Sequence, residues 1–522
     1  MKGIILFGKN CVGKYLYIAF VIYILISCND DDLAYKNFLS VIPEPSEIKI
    51  EKEFLVLDSI MLLSVDNAFR DISGYADLLT EFMKDNFENA GQYGSKAFNI
   101  INRLSLGAEG YELLVNGNGV NLYASARKGV LYGLQTFFQI CLSAADNKIP
   151  YLIIRDSPRF SHRGLMLDPA RHFIPVDEIK RLISIMSFYK YNCLHLHLSD
   201  DEGWCVEIKG LSILKEKGFG SPTMDSGGRN LYTQEELKDL VAFAAEYEVE
   251  IIPEIDIPGH CSYITSLFPD LKCGNVHMYN APGQLCVGND KVVDFMNIVV
   301  AEFAEIFPSN KFHLGGDEFS MKTIESCETC QSKMKELGYE SEGQLVSHMF
   351  ENVAKIVEEN GKTSMFWHET IVPSYPQNSV LYSWRKGLFS DALYASNNNN
   401  YKLICSPEEY SYFNYPQMPK GEPPFDNWGM PAIDLHRVYS FDPTFGYSSE
   451  QTKNLIGVEA LLWNEYITSI DMMYYMIFPR ALAFSEVGWS LPKNRDWKRF
   501  CKKLDFHLNY ISRKGINYRR PS

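Results

Sequence analysis

The sequence predicts a (β/α)8 TIM barrel preceded by a small α+β domain. The first observation is a rhythm that begins at Arg159, where eight short apolar stretches alternate with longer, often helical segments over about 330 residues. The second is the different pattern before Pro150, where alternating stretches and helical runs are mixed. A chain of 522 residues, 46% of them hydrophobic, is long enough to form both cores.

The segment before the barrel is predicted to be a support domain that spans residues 28–150. Its stretches SEIKIEKEFLVL and GYELLVNGNGVNLYA alternate as half-buried strands do, and the NGNG within the second is typical of a hairpin turn. Helical periodicity predicts helices at residues 73–86 and 128–144.

The barrel domain is predicted to span residues 151–490. Parallel barrel strands are buried on both faces, and nearly continuous apolar runs meet that requirement. The eight predicted strands are 164–170, 193–200, 249–256, 311–318, 363–369, 380–385, 402–407 and 456–465. Clear helical patterns lie between them at 177–191, 234–247, 292–306 and 342–359. No helix is evident before the last strand, where residues 408–450 are predicted to be a long loop.

The first 27 residues are predicted to be a lipoprotein-type signal peptide. Lys2, Lys9 and Lys14 precede an apolar run that is too short for a comfortable membrane span. The run ends in Leu-Ile-Ser before Cys28, which resembles a bacterial lipobox, and the acids that follow resemble the export signals of Bacteroidetes lipoproteins. We therefore expect lipidation of Cys28 and anchoring to the outer membrane, facing the periplasm or the cell surface. An ordinary cleaved signal or a membrane anchor is the alternative.

The charge composition of the chain argues against one class of binding partner. A net charge of -15 and a pI near 5.3 argue against nucleic acid, because a phosphate-binding surface needs clustered Lys and Arg. The sequence predicts no cofactor, and it allows a homodimer.

The cysteines give no metal prediction. The CxxC pair of Cys327 and Cys330 is typical of half a zinc ribbon or of a redox pair, but the chain has no second CxxC and no His at ligand spacing. A structural pair or free thiols is the favoured interpretation. Cys273 and Cys286 flank a loop rich in Gly, Asn and Pro, and they are a candidate bridge in an exported protein.

Acids and aromatic residues end the predicted strands, and the carboxyl ends of the strands carry the active site of a TIM barrel. Such a rim suits a sugar, because aromatic faces stack on a pyranose while carboxylates and Arg hold its hydroxyls. The residues at the strand ends are Arg171, Asp200, Asp256, Asp317, Glu318, Trp367, Trp384, Trp463 and Glu465.

Asp317 and Glu318 are adjacent, although neighbours on a strand point to opposite faces. Gly315 and Gly316 lack a Cβ and allow the strand to break its alternation, so that both acids can face the barrel mouth. Adjacent acids cannot flank a glycosidic bond from opposite sides, as ordinary retaining and inverting pairs do. Another group must be the nucleophile, and an N-acetyl group on the substrate is the natural candidate.

Five motifs, in this order, resemble the β-N-acetylhexosaminidases of glycoside hydrolase family 20: HRGLMLDPARHF, YNCLHLHLSDDEGW, PEIDIPGH, HLGGDE and LLWNEY. The support domain is similar to the domain before the barrel there, and residues 491–522 resemble the family's closing C-terminal helix, expected to pack on the barrel or a partner. The resemblance implies exo-acting hydrolysis of terminal β-linked GlcNAc or GalNAc from glycans, with retention, through an oxazolinium ion.

The resemblance also implies a role for each site residue. Glu318 resembles the general acid and base, Asp317 the acid that holds the acetamido N–H, and Tyr412 the tyrosine that binds the acetamido oxygen. Asp256 and His260 resemble a hydrogen-bonded relay behind the acid. The remaining sugar contacts are assigned to Trp367, Trp384 and Trp463 as walls and to Arg171, Asp200 and Glu465 as hydroxyl ligands.

One position departs from the family pattern. Asn414 stands where the family often has the Asp of Tyr-x-Asp. An amide still donates and accepts hydrogen bonds, but the negative charge expected near O4 or O6 of the sugar is absent.

Two rival interpretations come from other classes. A metal-dependent amidohydrolase barrel is suggested by His195 and His197, two imidazoles on one face of a strand, although they lie in mid-strand. A surface glycan-binding lipoprotein that has lost catalysis is the other, and the intact Asp317 and Glu318 argue against it.

Overall fold

The structure is a computed structural model that describes residues 39–57, 60–69, 72–86, 93–216, 224, 231–274, 283–424 and 429–521. The predicted signal peptide and Cys28 lie outside these ranges. The described residues form two compact units, one made of those up to Ser157 with Asp496–His507, the other of Pro158–Arg495 with the residues from Leu508 on. Among the described helices, none is long and apolar enough to cross a membrane.

The N-terminal unit contains a mixed sheet with the strand order β1-β6-β4-β5-β3-β2. The predicted hairpin is present, with Asn116 opposite Gly119. Both predicted helices are confirmed: α1 is Ser73–Asn86 and α2 is Arg127–Ser143. The strands are β1 Glu47–Val56, β2 Ile60–Val65, β3 Tyr93–Asn102, β4 Tyr111–Asn116, β5 Gly119–Ala124 and β6 Lys148–Asp156.

The domain boundary lies later than the predicted position at residue 150. Strand β6 continues through Pro150 to Asp156, because it pairs with β4 and β1 in the same sheet. The C-terminal helix, Trp497–Arg513, belongs partly to each unit, since Asp496–His507 is grouped with the N-terminal sheet and the rest with the barrel. Of the predicted extension 491–522, residues 491–495 and those from Leu508 on are grouped with the barrel, and Asp496–His507 with the N-terminal sheet.

The barrel prediction is confirmed. Within the described residues, eight parallel strands close into a barrel in sequence order, and the last pairs with the first. Each lies within two residues of its predicted start, and most of their side chains are buried. The strands are β7 His162–Leu167, β8 Cys193–His197, β9 Glu250–Glu254, β10 Lys311–His313, β11 Thr363–Trp367, β12 Val380–Ser383, β13 Lys402–Cys405 and β14 Leu455–Leu462.

The helices between the strands also follow the predicted pattern. The four predicted ones are observed at Val176–Phe188, Gln234–Glu246, Asp290–Ile306 and Glu342–Glu359. Two of them begin with a capping box, at Thr233 and at Ser341, which satisfies the free N–H groups of the first turn. The predicted long loop before β14 contains two short helices, Glu408–Ser411 and Leu435–Ser440.

Candidate active site

The segment after β10 aims both adjacent acids at the barrel mouth. Strand pairing ends at His313, and Gly315 and Gly316 have φ values of 64° and 101°, in the region that favours glycine. Glu318 itself has a φ of 52°, which is uncommon for a residue with a Cβ. This turn ends the alternation, and Asp317 and Glu318 line the same cavity, as the sequence predicted.

The cavity at the carboxyl ends of the strands has a volume of 260 Å³, which suits one sugar ring. It is lined by eleven of the predicted site residues: Arg171, Asp200, Asp256, His260, Asp317, Glu318, Trp384, Tyr412, Asn414, Trp463 and Glu465. Sequence positions almost 300 residues apart thus meet at one rim, because every barrel strand ends there.

Glu318 is the most accessible acid of the cavity, with about half of its side chain exposed. The Nε2 atom of His260 lies 3.6 Å from one of its oxygens, and an Nη atom of Arg385 lies 4.0 Å from the other. The interaction with His260, and then the charges of Arg385 and Arg171, hold the pKa of Glu318 below its usual value. A sugar that covers Glu318 removes water from the carboxylate and so raises that pKa.

Asp317 is buried beside a second acid, Asp256. Burial, and then the charges of Glu254 and Glu318, raise the pKa of Asp317 to about 6, although His260 opposes the shift. Burial, and then the charge of Asp317, raises the pKa of Asp256 well above the usual value. Asp256 therefore holds the proton of the pair, and its interaction with Asp317 favours the ionised form of Asp317.

The predicted pairing of Asp256 with His260 differs from the arrangement found. The Nδ1 atom of His260 lies 3.1 Å from an oxygen of Asp200, and its Nε2 faces Asp317 and Glu318. Asp200 is thus the carboxylate that raises the pKa of His260 above its usual value against the effect of burial. Among the described contacts, Asp256 instead accepts from the Gly316 backbone N–H. The contacts thus run from Asp200 through His260 to Glu318.

Arg171 is held by three carboxylates. Its guanidinium lies 2.7 Å from Asp200, 3.1 Å from Asp168 and 3.0 Å from Glu202, and it lies 5.3 Å above the ring centre of Trp463. These contacts fix the planar group at the rim before any substrate arrives, which reduces the entropy lost on binding.

Besides Asp256 Oδ2, four buried polar atoms of the cavity have no hydrogen-bond partner within the described residues. A buried polar atom without a partner destabilises a protein by about 1–3 kcal/mol, so their presence in a cavity indicates that a polar ligand supplies the missing bonds. The atoms are Asp317 Oδ1, Trp384 Nε1, Asn414 Oδ1 and Glu465 Oε2.

Tyr412 and Asn414 are fixed against the last barrel strand. Tyr412 forms a parallel bridge with Leu461, and the Phe413 backbone N–H donates to the Leu461 carbonyl oxygen at 2.6 Å. The Tyr-Phe-Asn segment therefore lies directly beside the strand whose end carries Trp463 and Glu465. Asn414, which departs from the family pattern, is 6% exposed and faces the cavity.

Trp367 does not line the cavity. It is 1% exposed, its Nε1 donates to Glu254 at 2.7 Å, and its ring centre lies 5.9 Å from that of Trp463. It therefore packs behind Trp463, and its predicted role as a wall of the pocket stays a prediction for the complex with substrate.

The two histidines of the amidohydrolase interpretation form part of a buried network below the cavity. The ring nitrogens of His195 lie 2.8 Å from Glu459 and 3.1 Å from Glu254. Those of His197 lie 2.6 Å from Glu254 and 2.6 Å from Asp200. Each ring nitrogen already faces a carboxylate, and through His197 the network holds Asp200 in place.

Four further residues of the cavity were missed by the sequence analysis: Arg385, Glu408, Tyr415 and Met430. Arg385 immediately follows Trp384 at the end of β12, so the strand-end rule was a sufficient signal for it. Its guanidinium makes a forked contact with Glu369 at 2.6–3.0 Å and stacks 4.1 Å above the Trp384 ring. Glu408 directly follows the predicted strand 402–407, so the same rule applies to it. Tyr415 and Met430 lie farther along the long loop, where no strand end marks the direction of a side chain.

The barrel and its cavity define a glycoside hydrolase, because a rim of paired acids, tryptophans and a clamped arginine matches the requirements of sugar cleavage. Comparison with known proteins agrees. A family model described as the glycosyl hydrolase family 20 catalytic domain matches residues 160–492, and one described as domain 2 of that family matches residues 39–157. The chain belongs to glycosyl hydrolase family 20.

Individual relatives support this assignment. A β-hexosaminidase of Akkermansia muciniphila is 34% identical over 79% of this chain and 86% of its own length. One of Porphyromonas gingivalis is 31% identical over 80% of this chain but only 55% of its own length. The solved exo-β-N-acetylglucosaminidase of Vibrio harveyi with N-acetylglucosamine has a TM-score of 0.80 and 28% identity, over 93% of this chain and 79% of that one. The N-acetyl-β-hexosaminidase of Streptomyces plicatus with Thio-NAglucal has a TM-score of 0.79 and 27% identity, over 92% and 97%.

Proposed function

We propose that this chain is an exo-acting β-N-acetylhexosaminidase that removes terminal, non-reducing β-linked GlcNAc or GalNAc from glycans with retention. The observation that carries the proposal is Asp317 Oδ1, a buried acceptor without a partner among the described residues, beside Glu318 in a cavity for one sugar ring. An acceptor at that place needs a hydrogen-bond donor, and the N–H of a 2-acetamido group supplies one next to the anomeric carbon.

The reaction runs in two steps. In the first, the acetamido carbonyl oxygen attacks the anomeric carbon, the glycosidic bond breaks, and Glu318 gives its proton to the leaving oxygen. The ionised Asp317 accepts from the acetamido N–H and stabilises the oxazolinium ion by its charge. In the second step, Glu318 takes a proton from water, which attacks the anomeric carbon and reopens the ring, so that two inversions give retention.

The acid and base roles of Glu318 are tested by Glu318→Gln with a β-GlcNAc disaccharide. We expect turnover to fall by about 10²–10⁴-fold, which is the usual contribution of general acid–base catalysis. Glu325→Gln makes the same chemical change at an exposed residue outside the cavity and should leave turnover unchanged. Near-normal turnover by Glu318→Gln would refute the assignment and favour a glycan-binding protein or another reaction.

The nucleophile is tested separately by changing the substrate. A plain β-glucoside, which lacks the acetamido group, should be almost inert. Fluorinated acetamido groups draw electrons from the carbonyl oxygen, so kcat/KM should fall steeply from acetyl to trifluoroacetyl. Equal rates across that series would contradict attack by the substrate, whatever the result with Glu318.

We also propose that Cys28 carries a lipid that anchors the enzyme to the outer membrane. The support is the sequence Leu-Ile-Ser-Cys after an apolar run, followed by acidic residues. Wild-type protein from cells should partition into the detergent phase, and Cys28→Ala should remain in the aqueous phase. The proposed homodimer is tested by the mass of the purified chain in light scattering.

A further inference from the structure

Four cysteines come together outside the sugar cavity. Cys273, Cys286, Cys327 and Cys330 are all buried, with 0–5% of each residue exposed. Their sulfur atoms all lie within 4.8 Å of one another. The sequence alone predicts two separate pairs, Cys273 with Cys286 and Cys327 with Cys330. The two pairs lie in loops that follow different barrel strands, so their spacing in the sequence does not show that they meet.

The sulfur separations fit a tetrahedron around one metal ion. The Sγ–Sγ distances are 3.6 Å between Cys273 and Cys330, 3.7 Å between Cys286 and Cys327, and 3.6 Å between Cys286 and Cys330. Four thiolates at about 2.3 Å from a tetrahedral zinc ion are about 3.8 Å apart. A disulfide requires about 2.05 Å, so no two of these sulfurs are bonded to each other.

The backbone around the cluster has features of a built metal site. Cys273 and Cys286 lie on two paired segments, where the Cys273 N–H donates to Gln284 and the Cys286 N–H to Leu271, both at 2.8 Å. Cys327 precedes the ten-residue helix Glu328–Leu337 and Cys330 lies in its first turn, where free backbone N–H groups favour thiolates.

A glycine allows the two halves to approach. A Cβ on Gly288 would lie 2.7 Å from the Cα of Cys330, so only glycine fits there without a shift of backbone.

We propose that these four cysteines bind one zinc ion in a closed structural site. Four sulfur ligands leave no open coordination position, so the ion takes no part in the glycosidase reaction. A tetrahedral set of four thiolates favours a soft ion such as zinc over magnesium or calcium, which require oxygen ligands.

The site joins two loops that shape the catalytic cavity. Cys273 and Cys286 belong to the loop after β9, which also carries His260. Cys327 and Cys330 follow Glu318 in the loop after β10. Near the cavity these loops meet again, since the Ser320 backbone N–H donates to Gln284 at 2.7 Å. A zinc ion would therefore hold His260 and Glu318 in a fixed relation.

The test measures metal in the purified full chain. The protein is prepared without metal-affinity resin or chelator, and elemental analysis should give about one zinc ion per chain. Cys327→Ser/Cys330→Ser should lose that zinc and unfold at a lower temperature. The matched control, Cys141→Ser/Cys405→Ser, alters two buried cysteines outside the cluster and should retain the zinc.

A second measurement keeps the test decisive if the variant does not fold. Unfolded wild-type protein is treated with a thiol reagent and a chelator, without reductant. If the cluster binds zinc, all four of its cysteines are free thiols once the metal is chelated, and the reagent counts them. If they form two disulfides, the count is lower by four, which would overturn the proposal. Zinc well below one per chain, iron in its place, or equal zinc in the cluster variant would also overturn it.

Discussion

At the scale of single residues, the order of two pKa values governs the chemistry. The reaction needs an ionised Asp317 and a protonated Glu318, yet burial raises the pKa of Asp317 to about 6 while His260 holds that of Glu318 below its usual value. The active form is therefore a minority of the free enzyme. Such reverse protonation is tolerable because the sugar, once bound, desolvates Glu318 and favours its protonated form.

This order predicts the pH profile of kcat/KM, which reports the free enzyme. The rate follows the fraction of ionised Asp317 multiplied by the fraction of protonated Glu318. This product is constant between the pKa of Glu318 and the pKa of Asp317, and it falls tenfold per pH unit below the first and above the second. We expect the decline on the basic side to begin near pH 6, where the ionisation of Asp317 is complete and no longer offsets the deprotonation of Glu318.

The control for this profile is Asp256→Asn. Asp256 holds the proton of the pair, and an amide is uncharged like the protonated acid, so the basic limb should move by less than about half a unit. A downward shift of a unit or more would show that Asp256 is ionised in the free enzyme and that its charge raises the pKa of Asp317.

Substitution of Arg385 should shift the acid limb of the kcat/KM profile, which depends on the pKa of Glu318. After His260, its charge contributes to the low pKa of Glu318. Arg385→Gln should raise that pKa and move the acid limb of kcat/KM to higher pH, by less than a unit because the carboxylate is half-exposed. Arg385→Lys keeps the charge and should leave the limb in place, whatever the effect of either change on the maximal rate. If the acid limb lies at the same pH in both variants, the charge of Arg385 does not lower the pKa of Glu318.

At the scale of elements, the turn after β10 depends on one glycine for two reasons. Gly315 has a φ of 64°, and a Cβ there would lie 1.7 Å from Oδ1 of Asp256. Gly315→Ala should displace Asp256 and with it Asp317, and reduce kcat by more than tenfold. Gly361→Ala is the matched control: it has a φ of 73° but nothing within 4 Å, so it incurs only backbone strain of about 1 kcal/mol. Equal activity in the two variants would show that the strain alone matters.

The elements themselves were largely predictable, and the exceptions have physical reasons. Continuous apolar runs identified all eight barrel strands, because burial on both faces leaves a strong pattern. The sequence predicts a domain boundary at Pro150, but β6 continues past it because it pairs with β1 and β4 in the N-terminal sheet. The partner of His260 and the cysteine cluster depend on which loops meet in space, which periodicity does not encode.

At the scale of the whole molecule, the first described residues and the first half of the C-terminal helix meet within the N-terminal unit. Glu44 is 7% exposed and pairs with Lys503 and Arg499, which follow it by more than 450 residues. The Lys503 ammonium also donates to the Val41 carbonyl oxygen at 2.8 Å. The C-terminal helix thus supplies the charges that a carboxylate of the support domain requires, which explains why that helix is divided between the units.

The last prediction concerns the stability that this buried pair provides. Lys503→Met keeps the apolar stem but leaves the Glu44 carboxylate with less compensation, so we expect a loss of about 3 kcal/mol in the free energy of unfolding of the N-terminal unit. It is measured by calorimetry as a lower midpoint. Lys453→Met breaks an exposed pair with Glu450 and should change stability by less than about 1 kcal/mol. Glu44→Gln/Lys503→Met removes both charges and should recover much of the loss. A double variant as unstable as Lys503→Met would show that packing of the lysine, and not its charge, holds the C-terminal helix to the support domain.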